Sequence, residues 1–177
     1  MNFLSRENVL RHKEYLKELK LKYSVLEKSY PELSGLSFRE IAKARVSLDK
    51  RLECLELKSK IIMHELYFDS FCESFRPSPY VKELFGSEAT FLYEIEREIL
   101  KSEEYGFLVV FSDRKNKLKF ELLDDYTELL LNSTPHLAID LYEHAYFLDY
   151  GFSRKKYVKA ALAQLNLNKI NDFYKSY

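Results

Sequence analysis

The chain has 177 residues, of which 46% are hydrophobic, so it is long enough to bury a core within one large domain or two small lobes. Its 28 basic residues balance 28 acidic ones, which argues against nucleic acid as a partner because no large net field would attract phosphates. No stretch approaches the roughly 20 apolar residues of a transmembrane span, and Arg6 and Glu7 interrupt the run that a signal peptide needs. We therefore expect a cytoplasmic protein without a membrane partner.

The first half of the chain is predicted to form two long helices. Over residues 5–30, apolar residues recur at a spacing of 3.6, which indicates an amphipathic helix. Ser37 and Glu40 have the spacing of a capping box, and they predict the start of a second helix that runs toward Phe75. Together the two helices predict an N-terminal helical hairpin lobe over residues 1–76.

Both cysteines, Cys54 and Cys72, fall within this predicted second helix. Eighteen residues of one helix separate them too widely for a disulfide, so reduced and buried thiols are expected. Neither cysteine has the spacing to other cysteines or histidines that metal sites use.

The second half is predicted to mix helices with a small sheet. After Pro79, the residues up to Glu104 predict further helix, broken near Gly86. The segments GFLVVFS and KLKFELL are rich in strand-forming residues and flank the turn DRKN, which predicts an antiparallel pair. The following YTELLL is predicted to add a third strand.

From Ala138 onward the pattern predicts helix again, interrupted at Gly151 and near Leu167. The predicted fold class is therefore α+β: a long helical hairpin followed by a C-terminal α/β lobe, residues 77–177, with a small three-stranded antiparallel sheet.

Two histidines occupy positions that should face the core. His12 completes the apolar stripe of the first helix, and His64 lies on an apolar face of the second. A buried imidazole needs a hydrogen bond or a metal ion, and for a single histidine a hydrogen bond in the core is the commoner solution.

A second pair lies in AIDLYEHAYFLDY, where Asp140 and His144 are four residues apart and are predicted to share a helix face. Taken together with His12 and His64, they offer three imidazoles and one carboxylate. These nitrogen and oxygen donors suit iron, manganese or zinc, so the sequence predicts a four-ligand metal site. The fourth histidine, His136, is expected to lie on the surface or in a loop without a functional role.

The segment TPHLAIDLYEHAYFLDY, residues 134–150, resembles the C-terminal signature of the iron/manganese superoxide dismutases, whose core is D-x-W-E-H-A-Y. The order of a histidine on the first helix, a histidine before the aromatic HELYF, a sheet and then the signature also agrees with that family. The resemblance implies one iron or manganese ion per chain, bound between the two lobes by His12, His64, Asp140 and His144.

The resemblance also implies a homodimer and a small oxygen species, superoxide above all, as the substrate. In the family the signature glutamate, here Glu143, reaches across a two-fold interface to the partner's metal-binding histidine. Superoxide would be converted to oxygen and hydrogen peroxide at the metal, and the resemblance assigns no separate catalytic residue.

The surroundings of the site depart from the family pattern. The gating histidine and tyrosine of the family correspond here to Leu16 and Lys20, and a tyrosine at the interface corresponds to Phe147. Lys60 stands where iron-type members often carry a glutamine. Aromatic residues replace the tryptophans that surround the metal in the family, namely Phe68, Phe107 and Tyr142.

These departures leave three hypotheses open, because the surroundings of a metal set its potential. The chain is a superoxide dismutase, or a metal-binding oxidase or other redox protein on the same fold, or a non-enzymatic structural or interaction protein that retains the metal as a staple. Under the second hypothesis, Tyr67 and Tyr146 near the metal would be sites of oxidative modification, although aromatic packing is their simpler role.

Overall fold

The computed structural model describes residues 1–101 and 104–175 and confirms the predicted α+β class. A long pair of helices comes first, and a three-stranded antiparallel sheet with further helices follows. The helices are α1 (Arg6–Ser29), α2 (Phe38–Lys43), α3 (Leu48–Asp69), α4 (Pro79–Phe85), α5 (Glu88–Leu100), α6 (Thr127–Asn132), α7 (Glu143–Tyr150), α8 (Arg154–Leu162) and α9 (Asn168–Lys175). The strands are β1 (Phe107–Ser112), β2 (Leu118–Leu123) and β3 (Thr134–Asp140).

In the first part of the chain, α1 packs against α3. The Ser5 side chain caps α1 by accepting a hydrogen bond from the backbone N–H of Asn8. The predicted second helix is two helices instead, since the backbone of Ala44 is extended and ends α2 before α3 begins at Leu48. The Arg51 guanidinium donates to the carbonyl oxygen of Ala42 at 3.0 Å, which satisfies one of the carbonyls freed at that break.

The placement of both cysteines in one helix is also wrong. Helix α3 ends at Asp69, so Cys54 lies within it and Cys72 lies beyond it. The hydroxyl of Ser70 closes the helix by donating to the carbonyl oxygen of Leu66 at 2.7 Å, and it accepts the backbone N–H of Ala138 at 2.8 Å. Both thiols are free as expected, although Cys72 is only partly buried.

The sheet has the order β2-β1-β3, with both neighbours antiparallel to β1. The prediction that YTELLL forms the third strand is wrong, because these residues form α6 and the third strand is Thr134–Asp140. The Asp125 side chain accepts the backbone N–H of Thr127 at 2.9 Å and so favours a helical start. The apolar run that follows in β3 is buried continuously, and a short run of that kind does not distinguish a strand from a helix.

The predicted breaks between the other helices are confirmed. Helices α4 and α5 meet at Gly86, while α7 ends at Gly151 and α9 begins just after Leu167. The helix predicted up to Glu104 ends at Leu100, and its residues Ser102 and Glu103 lie outside the described part of the chain. No helix in the described residues is long and apolar enough to cross a membrane.

Two hydrophobic clusters fill the interior, one on each face of the sheet. Strand β1 is buried along its whole length and its side chains alternate between the clusters. Phe107 and Val109 face the cluster that includes residues of α1, α2 and α3, whereas Leu108 and Val110 face the cluster formed with α5 and α8. The strand therefore contributes side chains to both hydrophobic clusters.

Candidate metal centre

The four predicted ligands come together from four different elements. His12 lies in the middle of α1, His64 near the end of α3, Asp140 at the last position of β3 and His144 in the first turn of α7. The expectation that Asp140 and His144 share a helix face is wrong, because Asp140 belongs to the strand. The turn between β3 and α7 nevertheless brings the two side chains to the same point.

The possible ligand atoms of these four residues all lie within 4.8 Å of one another. The Asp140 Oδ2 atom is at the centre of the group, 3.2 Å from Nε2 of His12, 3.2 Å from Nε2 of His144 and 3.6 Å from Nε2 of His64. The Nε2 atoms of His64 and His144 are 3.3 Å apart. Three imidazole nitrogens and one carboxylate oxygen therefore converge on a common centre.

The donor set fits a transition-metal ion. Asp140 Oδ2 and both ring nitrogens of His12 are buried and have no hydrogen-bond partner among the described residues, although the Asp140 oxygen and His12 Nε2 are close. Buried polar atoms are seldom left unpaired, so this cluster calls for a ligand. Iron, manganese and zinc all accept imidazole nitrogen and carboxylate oxygen.

Hydrogen bonds outside the cluster fix two of the ligands. The Nδ1 of His64 donates to the carbonyl oxygen of Lys60 at 2.7 Å, which leaves the lone pair on Nε2. The other carboxylate oxygen of Asp140 accepts the backbone N–H of Tyr142 at 2.9 Å. The hydroxyl of the buried Tyr157 donates to the backbone carbonyl of Asp140 at 2.7 Å and lies 3.3 Å from the hydroxyl of Tyr67.

The protonation states also suit metal binding. Burial lowers the pKa of His64 to about 4 and outweighs the attraction of the nearby Asp140 carboxylate. Burial would raise the pKa of Asp140, but the imidazoles of His12 and His144 outweigh it and hold that pKa below its ordinary value. At neutral pH the cluster therefore offers a neutral His64 and an ionised Asp140.

Aromatic side chains surround the ligands, as the replacement of tryptophan suggested. Phe68 lies against His12 with ring centroids 4.9 Å apart, Phe107 against His64 at 5.2 Å, and Tyr142 stacks on His144 at 5.6 Å. Tyr67 is fully buried and its ring centroid is 5.0 Å from that of His12. The surroundings of the cluster are therefore largely apolar.

The side chains of the remaining residues singled out from the sequence have partners outside the four ligands. Lys20 pairs with Glu65 at 2.6 Å on the surface, and the ammonium group of Lys60 pairs with Glu56. Tyr146 stacks on Tyr157 with centroids 4.7 Å apart.

Three further residues of the signature segment have different placements. The exposed ring of Phe147 contacts Phe152, and Glu143 is exposed, accepting a hydrogen bond from the Tyr105 hydroxyl at 3.3 Å. His136 is not a surface residue, because β3 carries it into the interior, where its Nε2 lies 2.6 Å from the hydroxyl of Ser112. Its burial lowers its pKa to about 4.

Sequence reasoning missed Tyr15 and Tyr157. The Tyr15 ring lies 4.9 Å from that of His144 and 5.3 Å from that of His64, measured between centroids. Its position three residues after His12 on the same helix face was the available signal. No local pattern distinguishes Tyr157, because its contact with Asp140 forms only when α8 packs against α5 and α7.

Comparison with known proteins agrees with this geometry. The family described as iron/manganese superoxide dismutases, C-terminal domain, matches residues 78–173. An iron superoxide dismutase of Cupriavidus metallidurans is 31% identical over 66% of this chain and 62% of its own length. A manganese superoxide dismutase of Halobacterium salinarum is 29% identical over 56% of this chain and 52% of its own.

A manganese superoxide dismutase of Acinetobacter baylyi is 46% identical over a shorter stretch, 23% of this chain and 18% of its own length. The chain thus spans less than two thirds of the length of each of these relatives. The segment of this chain that matches the family contains Asp140, Glu143 and His144.

Proposed function

Because this chain belongs to the iron/manganese superoxide dismutase family, we propose that it binds one iron or manganese ion through His12, His64, Asp140 and His144 and converts superoxide to oxygen and hydrogen peroxide. The observation that carries this proposal is the convergence of three imidazole nitrogens and one buried, unpaired carboxylate oxygen within 4.8 Å.

Bound there, the metal would supply the one-electron couple that dismutation requires. Asp140 supplies one negative charge, and the three imidazoles bind as neutral ligands, so a divalent or trivalent ion keeps a net positive charge that attracts an anion. The backbone carbonyl of Lys60 orients His64, and the backbone N–H of Tyr142 orients Asp140. The buried aromatic rings limit water access from the interior side.

A metal-dependent redox reaction other than dismutation is the second candidate. The observation that favours it is the absence of a polar group at two positions where the family pattern has one, since Leu16 and Phe147 are apolar. The ammonium group of Lys20 forms an ion pair with Glu65, so it does not replace the missing polar groups. Such changes alter the potential of a bound metal and so alter which one-electron reactions it supports.

The proposal includes a homodimer in which Glu143 contacts His144 of a second copy. Glu143 is exposed beside His144, and Phe147, Leu148 and Phe152 form an exposed apolar surface on and just after the same helix. Large exposed apolar side chains that cluster in this way are typical of protein interfaces. The dimer is tested by the mass in solution of the wild type and Glu143→Ala, and a monomeric wild type would exclude it.

The decisive experiment measures metal content and superoxide dismutation on the same purified samples. We expect the wild type to contain iron or manganese and to be active, and His64→Ala to lose both. His136→Gln is the matched control, because it changes a buried histidine that lies outside the cluster. Metal without dismutation would favour the second candidate, and a wild type that binds no metal when loaded would overturn both.

A further inference from the structure

We propose that Tyr67, Tyr157 and Tyr150 form an electron relay from the protein surface to the four-ligand cluster, through which hydrogen peroxide that reacts at the cluster is reduced by Tyr150. This inference rests on the proposed function, since it takes a redox-active iron or manganese ion to be bound at the cluster. It assigns a second reaction to the same site, the one-electron oxidation of a tyrosine by hydrogen peroxide, and it names the residue at which that oxidation ends.

The inner end of the relay contacts the ligands directly. The ring of Tyr67 lies against that of His12 with centroids 5.0 Å apart. The Tyr157 hydroxyl donates to the backbone carbonyl oxygen of Asp140 at 2.7 Å, and its oxygen lies 3.3 Å from that of Tyr67. Electronic coupling falls off exponentially with distance, so groups in contact exchange electrons faster than groups separated by other side chains. An electron can therefore pass from Tyr157 to the ligands without crossing a gap.

The outer end of the relay is Tyr150, at the end of α7. Its ring packs against that of Tyr157 with centroids 5.7 Å apart, and its hydroxyl donates to the carbonyl oxygen of Phe3. Tyr150 is half-buried, whereas Tyr157 is fully buried. Tyr146 also stacks on Tyr157, with centroids 4.7 Å apart, but it is only 5% exposed. Tyr150 therefore has the best access to solvent of the described tyrosines that contact Tyr157, and it lies outside the surface assigned to the homodimer.

The fate of the phenolic proton explains why the oxidation ends at Tyr150. A phenol that loses an electron becomes a strong acid, so a tyrosyl radical is stable only where the proton can leave. In the described part of the chain, the buried hydroxyls of Tyr67 and Tyr157 bond only to each other and to a backbone carbonyl, which is not a base. A positive charge left on either ring would lack solvation. At the half-buried Tyr150 solvent water can accept the proton.

The reaction takes one electron from the divalent ion and one from Tyr150 for each hydrogen peroxide. The O–O bond breaks, and its two oxygen atoms leave as water after receiving two protons, one lost by the Tyr150 hydroxyl and one taken from solvent. The electron from Tyr150 passes through Tyr157 and Tyr67, which end unchanged. The products are the trivalent ion, a neutral tyrosyl radical at position 150 and two water molecules. A thiol or ascorbate in solution then donates a hydrogen atom and restores the tyrosine.

The relay is tested on iron-loaded, reduced protein that is mixed with one equivalent of hydrogen peroxide and the spin trap 2-methyl-2-nitrosopropane. Peptide mass spectrometry then locates the trapped radical. We expect the adduct on Tyr150 in the wild type and in Tyr93→Phe, the matched control at an exposed tyrosine of α5. Protein without metal should carry no adduct, because the metal is needed to break the O–O bond.

Tyr157→Phe interrupts the relay at its centre. This variant should lose the adduct at Tyr150 and be oxidised beside the ligands instead, at Tyr15, whose ring centroid is 4.9 Å from that of His144. Because Tyr157→Phe also removes the hydrogen bond to the Asp140 carbonyl, Tyr67→Phe is the second variant, which keeps that bond and should shift the adduct in the same way. Circular dichroism and iron content establish that each variant is folded and loaded.

The outcomes distinguish this inference from the proposed function. An adduct at Tyr150 that is unchanged in either variant would overturn the relay and leave the metal site intact. Adducts spread over exposed tyrosines such as Tyr93, which is 63% accessible, would also overturn it, since they would indicate a diffusible oxidant. Hydrogen peroxide is added directly, so a loaded wild type that is labelled at Tyr150 but inactive toward superoxide would contradict the proposed function alone. A wild type that retains no metal after loading would overturn both.

Discussion

The imidazole of His64 is oriented by the backbone of Lys60, not by its side chain. The Nδ1–H of His64 donates to the carbonyl oxygen of Lys60 at 2.7 Å, while the ammonium group of Lys60 pairs with Glu56 at 2.6 Å. One turn of α3 thus turns Nε2 of His64 toward Asp140. The identity of the side chain at position 60 is of little consequence for this arrangement.

Lys60→Ala should therefore leave metal binding unchanged. The substitution keeps the backbone carbonyl that orients His64. It removes only an exposed ion pair between residues one helical turn apart, which contributes about 0.5 kcal/mol or less to the free energy of unfolding. Metal content and urea unfolding of the variant check this expectation. A large fall in metal content would show that the ammonium group itself acts at the site.

Tyr157→Phe should lower the free energy of unfolding by about 1 to 3 kcal/mol, since it leaves buried polar groups unpaired. The hydroxyl of Tyr157 donates to the carbonyl oxygen of Asp140 and is the neighbour of the Tyr67 hydroxyl. Tyr93→Phe, at an exposed position, should change stability by about 0.5 kcal/mol or less. Equal effects of the two substitutions in urea unfolding would contradict this role of Tyr157.

Gly106→Ala should destabilise the protein by about 2 to 4 kcal/mol, because the new methyl group has no space and the backbone angle is unfavourable. Gly106 has a φ of 145°, and a Cβ there would lie 2.3 Å from the carbonyl oxygen of Leu123. Gly35 is the control, with a φ of 73° and no atom within 4 Å of a Cβ. Gly35→Ala should cost about 1 kcal/mol from the backbone angle alone, and equilibrium unfolding compares the two.

His136 should make the protein less stable in mild acid. In the unfolded chain its pKa is near the ordinary 6.5, whereas burial lowers it to about 4 in the folded protein. Between these values the unfolded state binds more protons, so the free energy of unfolding falls as the pH falls from about 6.5 toward 4. The full loss for one such group is on the order of 3 kcal/mol.

The measurement is urea unfolding over this pH range for the wild type and His136→Gln. His64 has a similarly lowered pKa and contributes to both proteins, so the difference between their slopes isolates His136. A glutamine side chain can still bond to the Ser112 hydroxyl. Parallel pH profiles would show that His136 does not titrate as its burial implies.

The sequence predicted the fold class and most element boundaries because periodicity and glycine positions are local signals. The positions of His12 and His64 on apolar stripes correctly indicated burial. The prediction for the segment YTELLL failed because its side chains suit a strand and a helix alike, and the choice depends on the hydrogen bond from the Thr127 backbone N–H to Asp125 and on packing. His136 was misjudged for the same reason. It lies in the third strand, which the sequence pattern assigned to other residues, and the strand carries it into the interior.

The convergence of the four possible ligands could be anticipated, but not the way in which it is achieved. Asp140 and His144 were predicted to meet on one helix, whereas a strand end and a helix start bring them together. The contacts of Tyr15 depend on how α1 packs against α3 and α7, and those of Tyr157 on how α8 packs against α7. Distances of that kind are set by tertiary structure and leave little trace in local sequence patterns.

The position of strand β1 between the two hydrophobic clusters determines how the protein unfolds. Its alternate side chains are buried in the two opposite clusters, and β2 and β3 pair with its two edges. Neither cluster can be exposed without removing one face of the strand from the interior. We therefore expect heating to produce a single cooperative transition, in which residues 1–76 do not melt separately from the rest of the chain.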